Sequence, residues 1–316
     1  MGEVICMGVL VADLTAGPIV GYPKKGKMVM AERMQLGVGG CAANTAMVLS
    51  KLGVPTSLIA KVGNDDLGDY VIQSLTRSNV DVGGVRRDET VGTGCSMVLN
   101  SLDGDRSFIT TLGANTTFGL NDIDWEKVKN SKLIHIGGAL LMPDFDGKPA
   151  AQVFKTAKEF GVTTCLDTAW DESGHWLDTI ADVLPYTDLF LPSLVEAEEL
   201  TGKTNVKEIA HFFLDMGVKV MGIKMGKKGS CVYTKEKEIN IPIYDLKTVD
   251  TNGAGDAYVG GFIAGWVKGL PLEETAYLAN AVGALSTMAV GPVGGVKRLE
   301  EVLKIIHPEK ETIFGY

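Results

Sequence analysis

The sequence predicts an α/β fold in which a mostly parallel central sheet lies between two layers of helices, with a small second β-sheet set apart as a lid. Three observations lead there. Continuous apolar runs such as Val4 to Leu10 have strand length and no alternation, the pattern of a strand buried on both faces. From Leu133 onward such runs alternate with helical stretches, and that alternation gives parallel strands joined by crossovers. Two segments break the rhythm: Gly17 to Gln35 is turn-rich, and Thr93 to Asn100 and Arg106 to Thr111 alternate around Asp103-Gly104-Asp105, a hairpin signal. These excursions, at about 15–36 and 92–112, are expected to build the lid on one domain spanning 1–316.

Composition narrows the function. The chain has 316 residues, is 45% hydrophobic, and carries a formal charge of −9. That excess of acid argues against a nucleic-acid surface, which needs clustered Lys and Arg. The five cysteines (Cys6, Cys41, Cys95, Cys165, Cys231) are scattered without a C-x-x-C pair and read as reduced core thiols of a cytoplasmic protein. The histidines show no metal-ligand spacing. The apolar start lacks a basic leader, and no apolar run is long enough for a membrane span.

In chain order, the first strand ends at Asp13, placed where a strand meets its loop. It is a candidate for a polar ligand such as a sugar diol, or a turn cap. Gly37-Val38-Gly39-Gly40 then opens a helix of small residues that carries Asn44 and stops at Gly53. The G-x-G-x-x-A pattern there is a dinucleotide fingerprint only if it directly follows the first strand, and more than twenty residues intervene. A glycine hinge with Asn44 facing a ligand fits better. Ser57 to Val62 is a strand, followed by a helix to about Ser78. Strand-like runs at Leu133 to Ile136, Thr163 to Leu166, Leu189 to Leu191, Val218 to Ile223 and Ser230 to Tyr233 follow; a helix over Leu278 to Val290 precedes a polar end from Lys304.

The most informative stretch is Val249-Asp250-Thr251-Asn252-Gly253-Ala254-Gly255-Asp256, between strand-like Leu246 to Val249 and a helix beginning near Ala254. Val259, Phe262, Ile263, Trp266 and Val267 mark that helix's apolar face. Free N–H groups and a positive dipole end stabilise an anion at such a junction, and glycines let the backbone approach it. Asp256, in the first turn, is placed to take a proton from a hydroxyl attacking a phosphoryl group. The local alternative is an acidic residue that merely favours a helix start.

Asp13, Gly39-Gly40 with Asn44, the hairpin, Ser193-x-x-Glu196, Lys224-Met225-Gly226 and Asp250 to Asp256, in this order, resemble the ribokinase-like (PfkB) carbohydrate kinases across nearly the whole chain. The resemblance implies a three-layer α/β/α sandwich with a β-sheet lid, and ATP and Mg²⁺ as co-substrates. It implies Asp256 as catalytic base and the backbone of Gly253, Ala254 and Gly255 as anion hole. Asp13, Gly39, Gly40 and Asn44 match its sugar-binding positions, and Glu196 the acidic residue that organises Mg²⁺ through water. Lys224, Gly226, Gly229 and Thr251 lie along the nucleotide side, and Asn280 falls at the adenine pocket. Asp250 lies where some members hold a monovalent cation, which makes K⁺ activation a further expectation.

Two departures stand out: Ser193 where Asn is common, and Cys41 where many ribokinases and sugar-phosphate kinases of the family carry Lys. The latter disfavours a phosphorylated sugar. Arg106, at the hairpin, suits a carboxylate of an acidic sugar or a surface pair with Asp103 or Asp105. Phe108 or Trp170 suits either ring stacking or packing. The expected protein is an ATP-dependent kinase acting on a hydroxyl of a small sugar, with a homodimer through an exposed lid edge as a further expectation. Its rivals are a nucleoside kinase, an NAD-dependent oxidoreductase and a silent binding protein.

Overall fold

Successive residues of the first strand go to opposite sides of the sheet, and that alternation produces the three layers. Val4 and Cys6 join one apolar core, Ile5 and Met7 the other. The structure is a computed structural model and describes residues 3–101, 106–244 and 246–306, with Arg106 by its backbone.

In chain order β1 (Val4–Gly8) leads to lid strands β2 (Val11–Ile19) and β3 (Arg33–Gly39), and the chain returns through α1 (Cys41–Lys51), β4 (Thr56–Gly63), α2 (Asp66–Arg77) and β5 (Asp81–Asp88). A second excursion adds lid strands β6 (Cys95–Ser101) and β7 (Arg106–Thr111). There follow α3 (Trp125–Lys129), β8 (Leu133–Ala139), α4 (Lys148–Glu159), β9 (Thr163–Thr168), α5 (Leu177–Ile180), β10 (Leu189–Phe190), α6 (Leu194–Thr201), α7 (Val206–Asp215) and β11 (Val220–Lys224). Antiparallel β12 (Ser230–Tyr233) and β13 (Glu238–Ile241) finish the sheet, and α8 (Ala254–Val267), α9 (Leu272–Ser286) and α10 (Leu299–Ile306) complete the described chain.

Among the described residues the main sheet has nine strands in the order β13-β12-β11-β10-β9-β8-β1-β4-β5, parallel from β11 to β5. One core packs α1, α2, α8, α9 and α10 on one face; the other packs α3, α4, α6 and α7 on the opposite face. The chain leaves β1 in both directions, toward β4 and toward β8, so a switch point lies at the carboxyl end of β1, where open α/β sheets bind ligands.

The lid is a four-stranded sheet in the order β3-β2-β6-β7. It is built from the two expected excursions but begins earlier, at Val11, so Asp13 stands inside β2 opposite Gly37 and not in a loop. The hairpin turn Asp103 to Asp105 lies outside the described residues; its flanking strands pair from Cys95–Thr111 to Asn100–Arg106.

Other expectations shift. Leu246 to Val249 is not a strand; its backbone goes instead to α9's end, with Val249 and Asp250 N–H donating to the Thr287 carbonyl at 2.7 and 3.0 Å. That same contact marks why α9 stops at Ser286, short of Val290. It begins six residues earlier than expected, after Pro271, with Glu273 and Glu274 in its first turn. The five cysteines are free, and no helix among the described residues is long and apolar enough to cross a membrane.

Candidate active site

Every expected polar residue of the reaction centre sits at the carboxyl edge of the parallel strands or on the lid above it. Asp256 occupies the first turn of α8, behind Gly253, whose φ of 73° is left-handed and whose missing Cβ leaves room for Pro292, 2.3 Å from where that atom would stand. Its carboxylate Oδ2 accepts a hydrogen bond from Asn44 Nδ2 at 2.7 Å, and the Cys41 thiol donates to it as well. Both donors come from α1, which begins at Gly40 with φ 96°. The N-termini of α1 and α8 therefore meet at Asp256. Burial pushes its carboxyl up to about 6, against the pull of Asn44 and of the Lys224 charge.

Asp13 faces this pair from the lid. Burial first, and then the neighbouring Asp256 charge, push its carboxyl up to about 6, while the Asn252 side chain opposes the shift by hydrogen bonding. Gly39 is what lets Asp13 lie there: a Cβ on Gly39 would stand 2.2 Å from the Asp13 carboxyl carbon. Two raised carboxylates thus flank one space, with Asn44 between them and α1. A carboxylate raised this far is suited to exchange a proton near neutrality.

Lys224 ends β11 and reaches under the α8 N-terminus, its Nζ 3.5 Å from where a Cβ on Gly255 would stand. It donates to both oxygens of Asp167, at 2.8 and 2.9 Å, in an almost fully buried pair. Burial lowers its proton affinity, but Asp167, Glu196 and Asp256 together hold the ammonium above the usual lysine range. The sequence alone does not single out Asp167, which follows the strand-like run Thr163 to Leu166. An acidic residue closing a buried strand was the available signal.

Glu196 lies beside this pair on α6. Ser193 caps α6 reciprocally: Glu196 N–H donates to Ser193 Oγ at 3.3 Å, and Ser193 N–H to Glu196 Oε2 at 2.8 Å. Thr168 Oγ1 donates to the same carboxylate oxygen at 3.1 Å. No cluster of three metal-ligating side chains occurs among the described residues. The donor set still fits Mg²⁺, which binds through one or two carboxylates plus phosphate and water oxygens.

The remaining expected residues are dispersed around this centre. Asp250 folds its carboxylate back on the chain, accepting from Asn252 N–H at 2.9 Å and Gly291 N–H at 3.0 Å. Thr251 is exposed on the same loop. Gly226 and Gly229 turn the chain from β11 to β12. Asn280, buried in α9, donates from Nδ2 to the Pro242 carbonyl at 2.7 Å. Arg106 pairs in register with Asn100, and its side chain lies outside the described residues. Trp170 is half exposed in an edge-to-face pair with Trp176, and Phe108 is exposed on the lid. Gly37 to Gly39 end a lid strand antiparallel to β2, a setting unlike the first turn of a dinucleotide fold.

The fold defines a class: three-layer α/β/α proteins with a large, mostly parallel sheet and a second, smaller sheet beside its switch point. A ribokinase of Arabidopsis thaliana solved with ribose and ATP superposes at a TM-score of 0.84 with 28% identity, over 96% of this chain and 98% of that one. An Escherichia coli protein provisionally named ribokinase II, in complex with ATP and Mg²⁺, superposes at 0.84 with 26% identity, over 98% and 100%. In sequence, an ATP-dependent ribose-1-phosphate kinase of Halopiger xanaduensis is 34% identical over 252 residues, 78% of this chain and 79% of the relative. The model of the pfkB family carbohydrate kinases matches residues 4–297, and the chain belongs to that family. It is a sugar kinase, a phosphotransferase acting on a sugar hydroxyl.

Proposed function

We propose that this chain transfers the γ-phosphoryl group of ATP to a primary hydroxyl of a small, unphosphorylated sugar, with Asp256 as the general base. The observation that carries the reading is Asp256 itself, raised to about 6, bonded to Asn44 and seated in the first turn of α8. Asp13 and Asn44 orient the sugar, and Asp256 takes the hydroxyl proton as oxygen attacks phosphorus. The N–H groups of Gly253, Ala254 and Gly255 face the charge that builds on the transferred oxygens. Lys224, charged and buried, adds a cation next to that turn. Glu196, with Asp167 behind it, would hold Mg²⁺ through water, and the ion would neutralise phosphate charge. Gly226, Gly229, Thr251 and Asn280 flank the nucleotide in this reading, and Asp250's loop is the place for K⁺ activation.

Relatives solved with ribose and ATP, and with ATP and Mg²⁺, support these co-substrates. The absence of a cation at Cys41 supports an unphosphorylated acceptor, although the Halopiger relative is named for a sugar phosphate. The test is ATP-dependent phosphorylation across pentoses, hexoses, sugar acids, sugar phosphates and nucleosides, run beside Asp256→Asn. One sugar class is expected to turn over, with kcat falling ~10²–10⁴-fold in the variant. Preference for nucleosides or sugar phosphates would overturn the acceptor, and an unimpaired variant would overturn the base.

We also infer a homodimer through the lid. The face of the lid sheet opposite Asp13 carries Leu14, Leu36, Met97, Met34 and Ile109, and the last two are largely exposed. An apolar sheet face that ends, among the described residues, in an edge strand at β7 invites a second copy.

A further inference from the structure

The other face of the lid does something different. Between it and the loop that leads into α8 lies a cleft of about 360 Å³, and Asp13, Asn44 and Asp256 are not part of its wall. On the lid side stand Thr15, Gln35, Arg33 and Asn100. Thr15 and Gln35 are cross-strand partners and Arg33 is the partner of Gly17, so alternation puts all three on the face that carries Asp13. Thr15 lies one side-chain repeat, ~6.8 Å, beyond Asp13 along β2. The facing wall is Thr248 to Thr251, and Thr251 precedes Asn252, whose side chain bonds Asp13. The cleft therefore continues from the acceptor carboxylate.

Its chemistry is selective. Arg33 and Asp250 cancel in charge, and Asp250 already accepts two backbone N–H groups. The other polar groups are neutral hydroxyls and amides, from Thr15, Gln35, Asn100, Ser101, Thr248 and Thr251. Neutral groups that both donate and accept suit a ligand that is itself neutral and rich in hydroxyls. No aromatic side chain lines the cleft, so it offers no stacking surface to a nucleobase, while Pro18 and Val249 offer contact to C–H groups.

We propose that this cleft is a subsite for a second, neutral polyhydroxylated unit of the acceptor, a glycosyl or polyol group, so that the preferred substrate is longer than a monosaccharide. The proposal rests on the acceptor reading above, in which the phosphorylated hydroxyl lies at Asp256.

Calorimetric titration of the full chain without ATP tests it, using matched pairs: fructose with sucrose, glucose with maltose, ribose with ribosylglycerol. In at least one pair the longer member is expected to bind about tenfold tighter, the worth of one or two well-made hydrogen bonds. Gln35→Ala, at an exposed position, and Asn100→Ala should each erase most of that advantage and leave the monosaccharide unchanged. Equal or weaker binding of every longer member, or an advantage that survives both substitutions, overturns the subsite. Turnover in parallel separates the two readings. Monosaccharides phosphorylated with no advantage to the longer member sink the subsite alone, whereas tight binding of the longer member without phosphorylation leaves the subsite and sinks the acceptor reading.

Discussion

Asp13 and Asp256 are pushed the same way, chiefly by burial, and each raises or is raised by a neighbouring charge. A base must be unprotonated to work, so kcat/KM should rise with pH through about 6 and level off above it. The Asp256 charge is one cause that raises Asp13, and charge repulsion is mutual, so removing the Asp13 charge also relieves Asp256. Asp13→Asn is therefore expected to move the acid limb of the profile to lower pH while weakening sugar binding. A pH–rate series on both proteins decides it, and a limb that stays in place would mean the two carboxylates do not sense each other. The same residue-level logic separates Asp13 from Asp250: one carboxylate faces the acceptor space, while the other is taken up by Asn252 and Gly291 N–H groups.

Elements set these residues in place through their ends. The cap of α6 is local: Ser193 and Glu196 bond each other's backbone, so Ser193→Ala should cost about 1 kcal/mol in denaturant unfolding and Ser193→Asn little. The pair between β9 and β11 is not local. Lys224→Met would leave the Asp167 carboxylate buried without its cation, and about 3–5 kcal/mol of stability should go with it. Adding Asp167→Asn should restore a large part of that loss in the same unfolding measurement; no recovery would show that Lys224 stabilises through contacts other than Asp167. Catalysis should not recover, because the cation beside Gly255 is still missing.

At the scale of the whole molecule the two excursions out of the α/β sequence come together as one lid, with Asp13, Thr15 and Gln35 on one face and Met34, Met97 and Ile109 on the other. Met34→Glu with Ile109→Glu places charges on the apolar face and should turn a sedimenting dimer into a monomer, leaving monosaccharide binding intact. A wild-type chain that sediments as a monomer at micromolar concentration would end the dimer reading. Closure of the polar face over the acceptor would exclude water from the transferring phosphoryl.

The sequence by itself determined the α/β alternation, the lid's two excursions, and the glycine turn that presents Asp256, because each is written in contiguous residues whose periodicity or backbone freedom is local. Other features were not legible in the chain order. Asp13 read as a loop residue because an apolar run followed by a charge looks like a strand end, while pairing with β3 and β6 carries the strand on. Leu246 to Val249 reads as a strand because its apolar residues fit one, yet the Val249 N–H goes to the Thr287 carbonyl. Only the tertiary structure decided that Cys41 and Asn44 would hold Asp256, that Asp167 would hold Lys224, and that Thr15, Gln35 and Asn100 would line one cleft. Such contacts join residues far apart in the chain, and they depend on burial and distance, which no local pattern encodes.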